Sequence, residues 1–155
     1  MRPDALIANG MLKSPVGLIC LANFKQGHDG EEMNKRKLAG RPVDPVGLGC
    51  MSLCWAYGEP PTHDEAIAIL HRALELGYDH LDTANIYGLG QSEKLIAAAL
   101  KGKRQDYFLA SKTGIVINGD VRGVDCHPDS ITASIDASLE RLETAVDPRA
   151  LRSCR

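Results

Sequence analysis

Three leucines, Leu48, Leu81 and Leu109, mark the middles of short apolar runs that lie 33 and 28 residues apart, and a helical pattern follows each run. That spacing is the period of β/α units laid side by side on a parallel sheet. The strands are read as Val46 to Met51, Tyr78 to Thr83 and Tyr107 to Lys112. The first helix opens at Thr62, with Glu65 three residues on in a capping-box spacing behind Pro60-Pro61, and carries Ile67, Leu70 and Leu74 on one face. Gly77 ends it as a left-handed cap residue would. The second helix runs from about Ser92 to Lys101, with Leu95, Ile96, Ala99 and Leu100 as its stripe and Gly102 as its stop. The third lies behind Pro128, with Ile131, Ile135, Leu139 and Leu142 in register. A right-handed βαβαβα run results, and the class is α/β. Periodicity alone fits the start of a doubly wound sheet as well as the start of a barrel.

The flanks read differently. Residues 1–32 hold no sustained period and scatter Gly10, Gly17, Gly27 and Gly30 among charges, which predicts a poorly ordered leader, with Met33 as a natural start. Lys35-Arg36-Lys37-Leu38 before Gly40-Arg41-Pro42 predicts a short hairpin leading into the first strand. Residues 33–144 form the repeated region, and 145–155 are an atypical tail. Composition narrows the partners: a net charge of −2 gives no broad basic field for nucleic acid or an anionic membrane. Five cysteines, an odd number at irregular spacing with no secretory signal ahead of them, fit a reducing cytoplasm. The apolar run from Val16 to Ala22 is far shorter than the roughly 20 residues that span a bilayer.

The chemistry-bearing residues fall at strand ends. Asp82 closes the second strand, Lys112 closes the third, and Tyr87 follows Asp82 on the next loop. Parallel strands bring such ends to one face. A phenol with an ordinary pKa of about 10 is a poor acid and base at neutral pH until a cation lies beside it. Lys112 supplies that cation, Asp82 keeps the lysine charged and oriented, and Tyr87 becomes a general acid for a carbonyl oxygen. Taken singly, each has an ordinary reading: Asp82 as a turn former, Tyr87 as packing, Lys112 as a solvated charge. Their combination is what points to a site.

The stretch Gly77-Tyr78-Asp79-His80-Leu81-Asp82-Thr83-Ala84, then Tyr87-Gly88 and Ser92-Glu93, resembles the first signature of the aldo-keto reductases. Val46-Gly47-Leu48-Gly49-Cys50-Met51 is similar to that family's first barrel strand, and Leu109-Ala110-Ser111-Lys112-Thr113-Gly114 to its lysine strand. The resemblance runs from about Lys35 to Thr144. It implies the N-terminal portion of a (β/α)8 TIM barrel, three parallel β/α units and incomplete, and an NADPH-dependent reduction of an aldehyde or ketone. It further implies that Asp82, Tyr87 and Lys112 are catalytic, with Tyr87 the proton donor, and that Cys50, Met51 and Asp82 neighbour the cofactor. The family's fourth catalytic residue is a histidine ending the fourth strand, and Ala145 to Arg155 contain none. His127, directly before Pro128, is read as a helix cap. The strands that supply most nicotinamide, pyrophosphate and adenine contacts in the family are not among these residues, so the alternative reading is a truncated, catalytically incompetent fragment or a non-enzymatic regulator. The open edge of such a piece invites self-association. The partner in the family is a small carbonyl compound.

Three look-alikes are set aside. Gly47-Leu48-Gly49-Cys50-Met51-Ser52 approaches a dinucleotide fingerprint, but Trp55, Pro60 and Pro61 intervene before any helix. Ser111-Lys112-Thr113 lacks the glycines of a phosphate loop. Cys50, Cys54 and Cys126-His127 are read as small hydrophobes and a cap and not as a metal set. The segment from Gly119 to Gly123 is read as an ordinary connection.

Overall fold

A computed structural model describes residues 35–55, 58–119, 121–145 and 151–153. The leader reading for residues 1–32, including Val16 to Ala22, lies outside the described residues. Strands β1 (Arg36–Leu38) and β2 (Arg41–Val43) form the expected antiparallel hairpin, turned by Ala39 and Gly40, both at positive φ. The hairpin is fastened beside the sheet by Asp79, whose carboxylate accepts from the Asp44 amide at 2.8 Å and from Lys35 Nζ at 2.9 Å. Burial alone would raise the Asp79 pKa, but these two donors outweigh it and hold the carboxyl below its ordinary value.

The main sheet is parallel, in the order β3 (Leu48–Gly49), β4 (His80–Asp82), β5 (Phe108–Thr113) and β8 (Leu151–Ser153). Three of these strands are the expected ones. The fourth lies within residues 145–155, read as an atypical tail after three strands: Leu151, Arg152 and Ser153 pair with Ser111, Lys112 and Thr113. Three residues with no apolar alternation carry no strand signal of their own, and the unpaired edge of β5 recruits them. Between β5 and the third helix the connection expected at Gly119 to Gly123 is a second hairpin, β6 (Ile115–Asn118) against β7 (Val121–Val124). Its β-branched residues satisfy one another across the ladder, which a reading centred on the two glycines passes over.

Helix α1 (His63–Glu75) begins with the anticipated capping box, in which Thr62 Oγ1 accepts from the Glu65 amide at 3.4 Å and Glu65 Oε2 accepts from the Thr62 amide at 2.8 Å. It buries Ala66, Leu70 and Ala73, with Ile67 and Leu74 partly covered. Helix α2 (Gln91–Ala99) buries Leu95, Ile96 and Ala99, and helix α3 (Pro128–Arg141) opens with His127 as its cap, the ring accepting from the Asp129 amide. Ile131, Ile135 and Leu139 are only half-buried, because α3 has α2 on one side and no further helix among the described residues on the other. The core lies between the sheet and α1 and α2, built around Leu53, Leu70, Leu81, Ile96, Leu100 and Leu109.

Candidate active site at the strand C-termini

Alternation along the parallel strands sorts polar side chains onto two faces. In β5, Leu109, Ser111 and Thr113 turn toward the helices, while Phe108, Ala110 and Lys112 take the other face. Asp82 pairs in register with Gly49 on one side and Ala110 on the other, so it shares the face of Lys112. The ion pair follows from that register: Lys112 Nζ donates to Asp82 Oδ1, with the two side chains about one-third and two-fifths exposed (32% and 43%).

Tyr87 arrives on the loop after β4. The Asn85 amide donates to the Lys112 carbonyl at 3.1 Å, which ties that loop to the end of β5. Gly88, Leu89 and Gly90 then turn in succession at positive φ. At Gly88 the conformation is joined by close approach, since a Cβ there would lie 2.9 Å from Cys54 Sγ. The outcome is that Lys112 Nζ sits 5.2 Å from the centre of the Tyr87 ring. Burial acts to lower the Lys112 pKa, but the hydrogen bond and charge of Asp82, with a further contribution from Tyr87, outweigh it and the net shift is upward. Lys112 is therefore a fixed cation beside a phenol. Asp82, Tyr87 and Lys112, each picked out from the sequence, are brought together.

The remaining sequence-named neighbours divide. Cys50 is fully buried in the core, its thiol donates to the Leu48 carbonyl at 3.7 Å, and burial first and the Asp82 charge second push its pKa up to about 12. Its side chain is thus turned away from the open face, and only its backbone borders the site. Met51 starts a single 3-10 turn (Met51–Leu53) after β3 and is half-buried. No group of His, Cys, Asp or Glu with metal-site geometry occurs among the described residues.

Four residues that the sequence reading did not assign to the site also shape it. Glu93, completely buried, accepts from Arg141 Nε and from Ser111 Oγ, both at 2.7 Å, and so locks α2, α3 and the residue beside Lys112 together. Ser92 links the same layer, accepting from Thr83 at 2.8 Å and donating to the Cys50 carbonyl at 3.2 Å. Trp55 stands next to Tyr87, ring centres 6.3 Å apart, and the Arg122 guanidinium lies 4.5 Å over the Trp55 ring. The position of Trp55, in the loop leaving the first strand's C-terminal end, was a usable signal. Nothing local marks Arg122, whose place depends on how the second hairpin folds back.

Strand-end aspartate, loop tyrosine and strand-end lysine on a parallel α/β sheet coincide with a match of residues 45–148 to the model of the aldo/keto reductase family. The chain belongs to that family. An oxidoreductase of Bacillus subtilis, YqkF, is 37% identical over 116 residues, which are 72% of this chain and 36% of the relative. The aldo-keto reductase yakc [NADP(+)] of Schizosaccharomyces pombe is 35% identical over 69% of this chain and 32% of its own length. Among solved structures, the holo form of an aldo-keto reductase from Bacillus halodurans superposes with a TM-score of 0.65 at 36% identity, covering 73% of this chain and 37% of that one. The chain spans about a third of the length of the curated relatives it matches. Its fold is accordingly part of the family's (β/α)8 barrel.

Proposed function

We propose that these residues form the proton-donating part of an NADPH-dependent aldehyde or ketone reductase. The observation that carries the reading is the Asp82–Lys112 ion pair set against the Tyr87 ring at the C-terminal ends of adjacent parallel strands. Tyr87 gives its hydroxyl proton to the carbonyl oxygen. Lys112 stabilises the phenolate left behind, and Asp82 holds the lysine in place through the cycle. NADPH, when bound, supplies the hydride that the carbonyl carbon receives. The open face fits its nicotinamide end: Gly49, in register with Asp82, is exposed and has no described atom within 4 Å of where a Cβ would lie. Met51, Asp82 and the Cys50 backbone would border it there. The NADP(+) in the name of the fission-yeast relative supports the choice of cofactor.

Grafting residues 45–148 onto the remaining strands of a relative's barrel tests the reading. The chimera should reduce a reactive aldehyde with NADPH, and Tyr87→Phe should lower turnover by about a hundredfold or more, the scale of a lost general acid. A folded chimera whose turnover is unchanged by Tyr87→Phe would overturn it.

A further inference from the structure

Two cations flank the pair of rings at the mouth, and they differ in how they are neutralised. Lys112 is paired with Asp82. Arg122 stacks on Trp55 and ion-pairs with no carboxylate among the described residues. The register of the second hairpin puts Arg122 directly across from Ile117, on the face that also carries Ile115 and Val124. Ile115, Ile117 and Val124 are among the exposed large apolar residues, at 39%, 38% and 76%. An apolar patch rimmed by polar groups marks a site of interaction, and a planar guanidinium matches carboxylate geometry bidentately. Charge complementarity fixes the kind of occupant: an anionic group for Arg122, joined by a short apolar stretch to the group that reaches Tyr87.

We infer that the hairpin Ile115–Val124 is a specificity wall of this site, and that Arg122 selects carbonyl compounds that bear a carboxylate. The inference deepens the reductase reading and rests on it for the carbonyl end. Arg122 is held ready by Trp55, through a cation–π contact weaker than the charge-assisted, bidentate hydrogen bonds a carboxylate would offer it. Ile117 then lies against the chain that links carboxylate and carbonyl.

The chain contains one tryptophan, so indole emission reports the surroundings of Trp55 alone. Trp55 fluorescence of the 155-residue chain is titrated with levulinate and, separately, with methyl propyl ketone, which has the same length and lacks the carboxylate. Levulinate should give a saturable change at about a tenth of the concentration the neutral ketone requires. Arg122→Gln should erase that advantage and Arg122→Lys should keep part of it. Equal responses to the two ketones, an advantage that persists in Arg122→Gln, or no saturable response to levulinate would each overturn the assignment. Inorganic phosphate as effective as levulinate would do so too, because it would show an anion site indifferent to the carbonyl. Turnover plays no part in this readout, so the Arg122 assignment and the reductase reading can fail separately.

Discussion

Glu93 shows how one residue can hold a site it never touches. Its carboxylate is completely buried, whereas Arg141, its partner, keeps 23% of its side chain in contact with solvent. Breaking a buried pair is costly because of the charge left behind, and here the two ends strand different charges. Arg141→Met leaves Glu93 in the core with, among the described residues, only Ser111 to donate to it, and should cost about 3–5 kcal/mol. Glu93→Met leaves an arginine that can reach water and the Ser138 hydroxyl, and should cost less. The double replacement should unfold at a urea concentration above that of Arg141→Met alone, a coupling read directly from the four denaturation curves. An Arg141→Met protein no less stable than Glu93→Met would show that Glu93 is not the stranded group. The sequence put Glu93 inside a family signature, but not what it does, because its value lies in reaching Arg141 across 48 positions of chain.

Between elements, the start of α2 meets the end of α3 at Gly90. A Cβ there would fall 2.6 Å from Arg141 Cδ and 2.7 Å from Nε, so the glycine makes room for the arm that holds Glu93. Gly40, in the first hairpin, has a similar positive φ, +81° against +90°, and open space around it. Replacing each with alanine separates backbone strain from crowding. Gly40→Ala should cost about 1 kcal/mol, the penalty for a side chain in left-handed backbone. Gly90→Ala should cost that and a further loss as Arg141 is displaced, and it should lower the melting temperature more than Gly40→Ala. Equal losses would mean that Arg141 moves aside freely. The helices themselves were legible because caps and periodicity are local: Thr62 with Glu65, and His127 before Pro128, mark their starts in four residues or fewer. The second hairpin was not, since Gly119 and Gly123 signal a turn without saying which flanking residues will pair.

At the scale of the molecule, the main sheet has four strands among the described residues where the family's barrel has eight, and both β3 and β8 present an unpaired edge there. Closure is what normally removes such edges and assembles strand ends into a complete ring of contacts. A dinucleotide needs enough fixed contacts to offset the freedom it loses on binding, and among the described residues the only candidates are those proposed to border the nicotinamide. The 155-residue chain alone should therefore show no saturable NADPH binding in a fluorescence titration and no aldehyde reduction, while the chimeric barrel recovers both. Saturable binding by the isolated chain would reverse this expectation.

The sequence by itself determined the parallel β/α order, the helix caps, and the candidates Asp82, Tyr87 and Lys112, because strand period, cap chemistry and strand-end position are written in neighbouring residues. Only the tertiary structure decided that Lys112 binds Asp82 beside the Tyr87 ring, that Cys50 turns inward, that Leu151–Ser153 complete a fourth strand, and that Arg122 reaches Trp55. Those outcomes depend on register between strands and on loops folding across them, and register is set by which faces can be buried together, a property of the assembled sheet and not of any one stretch of chain.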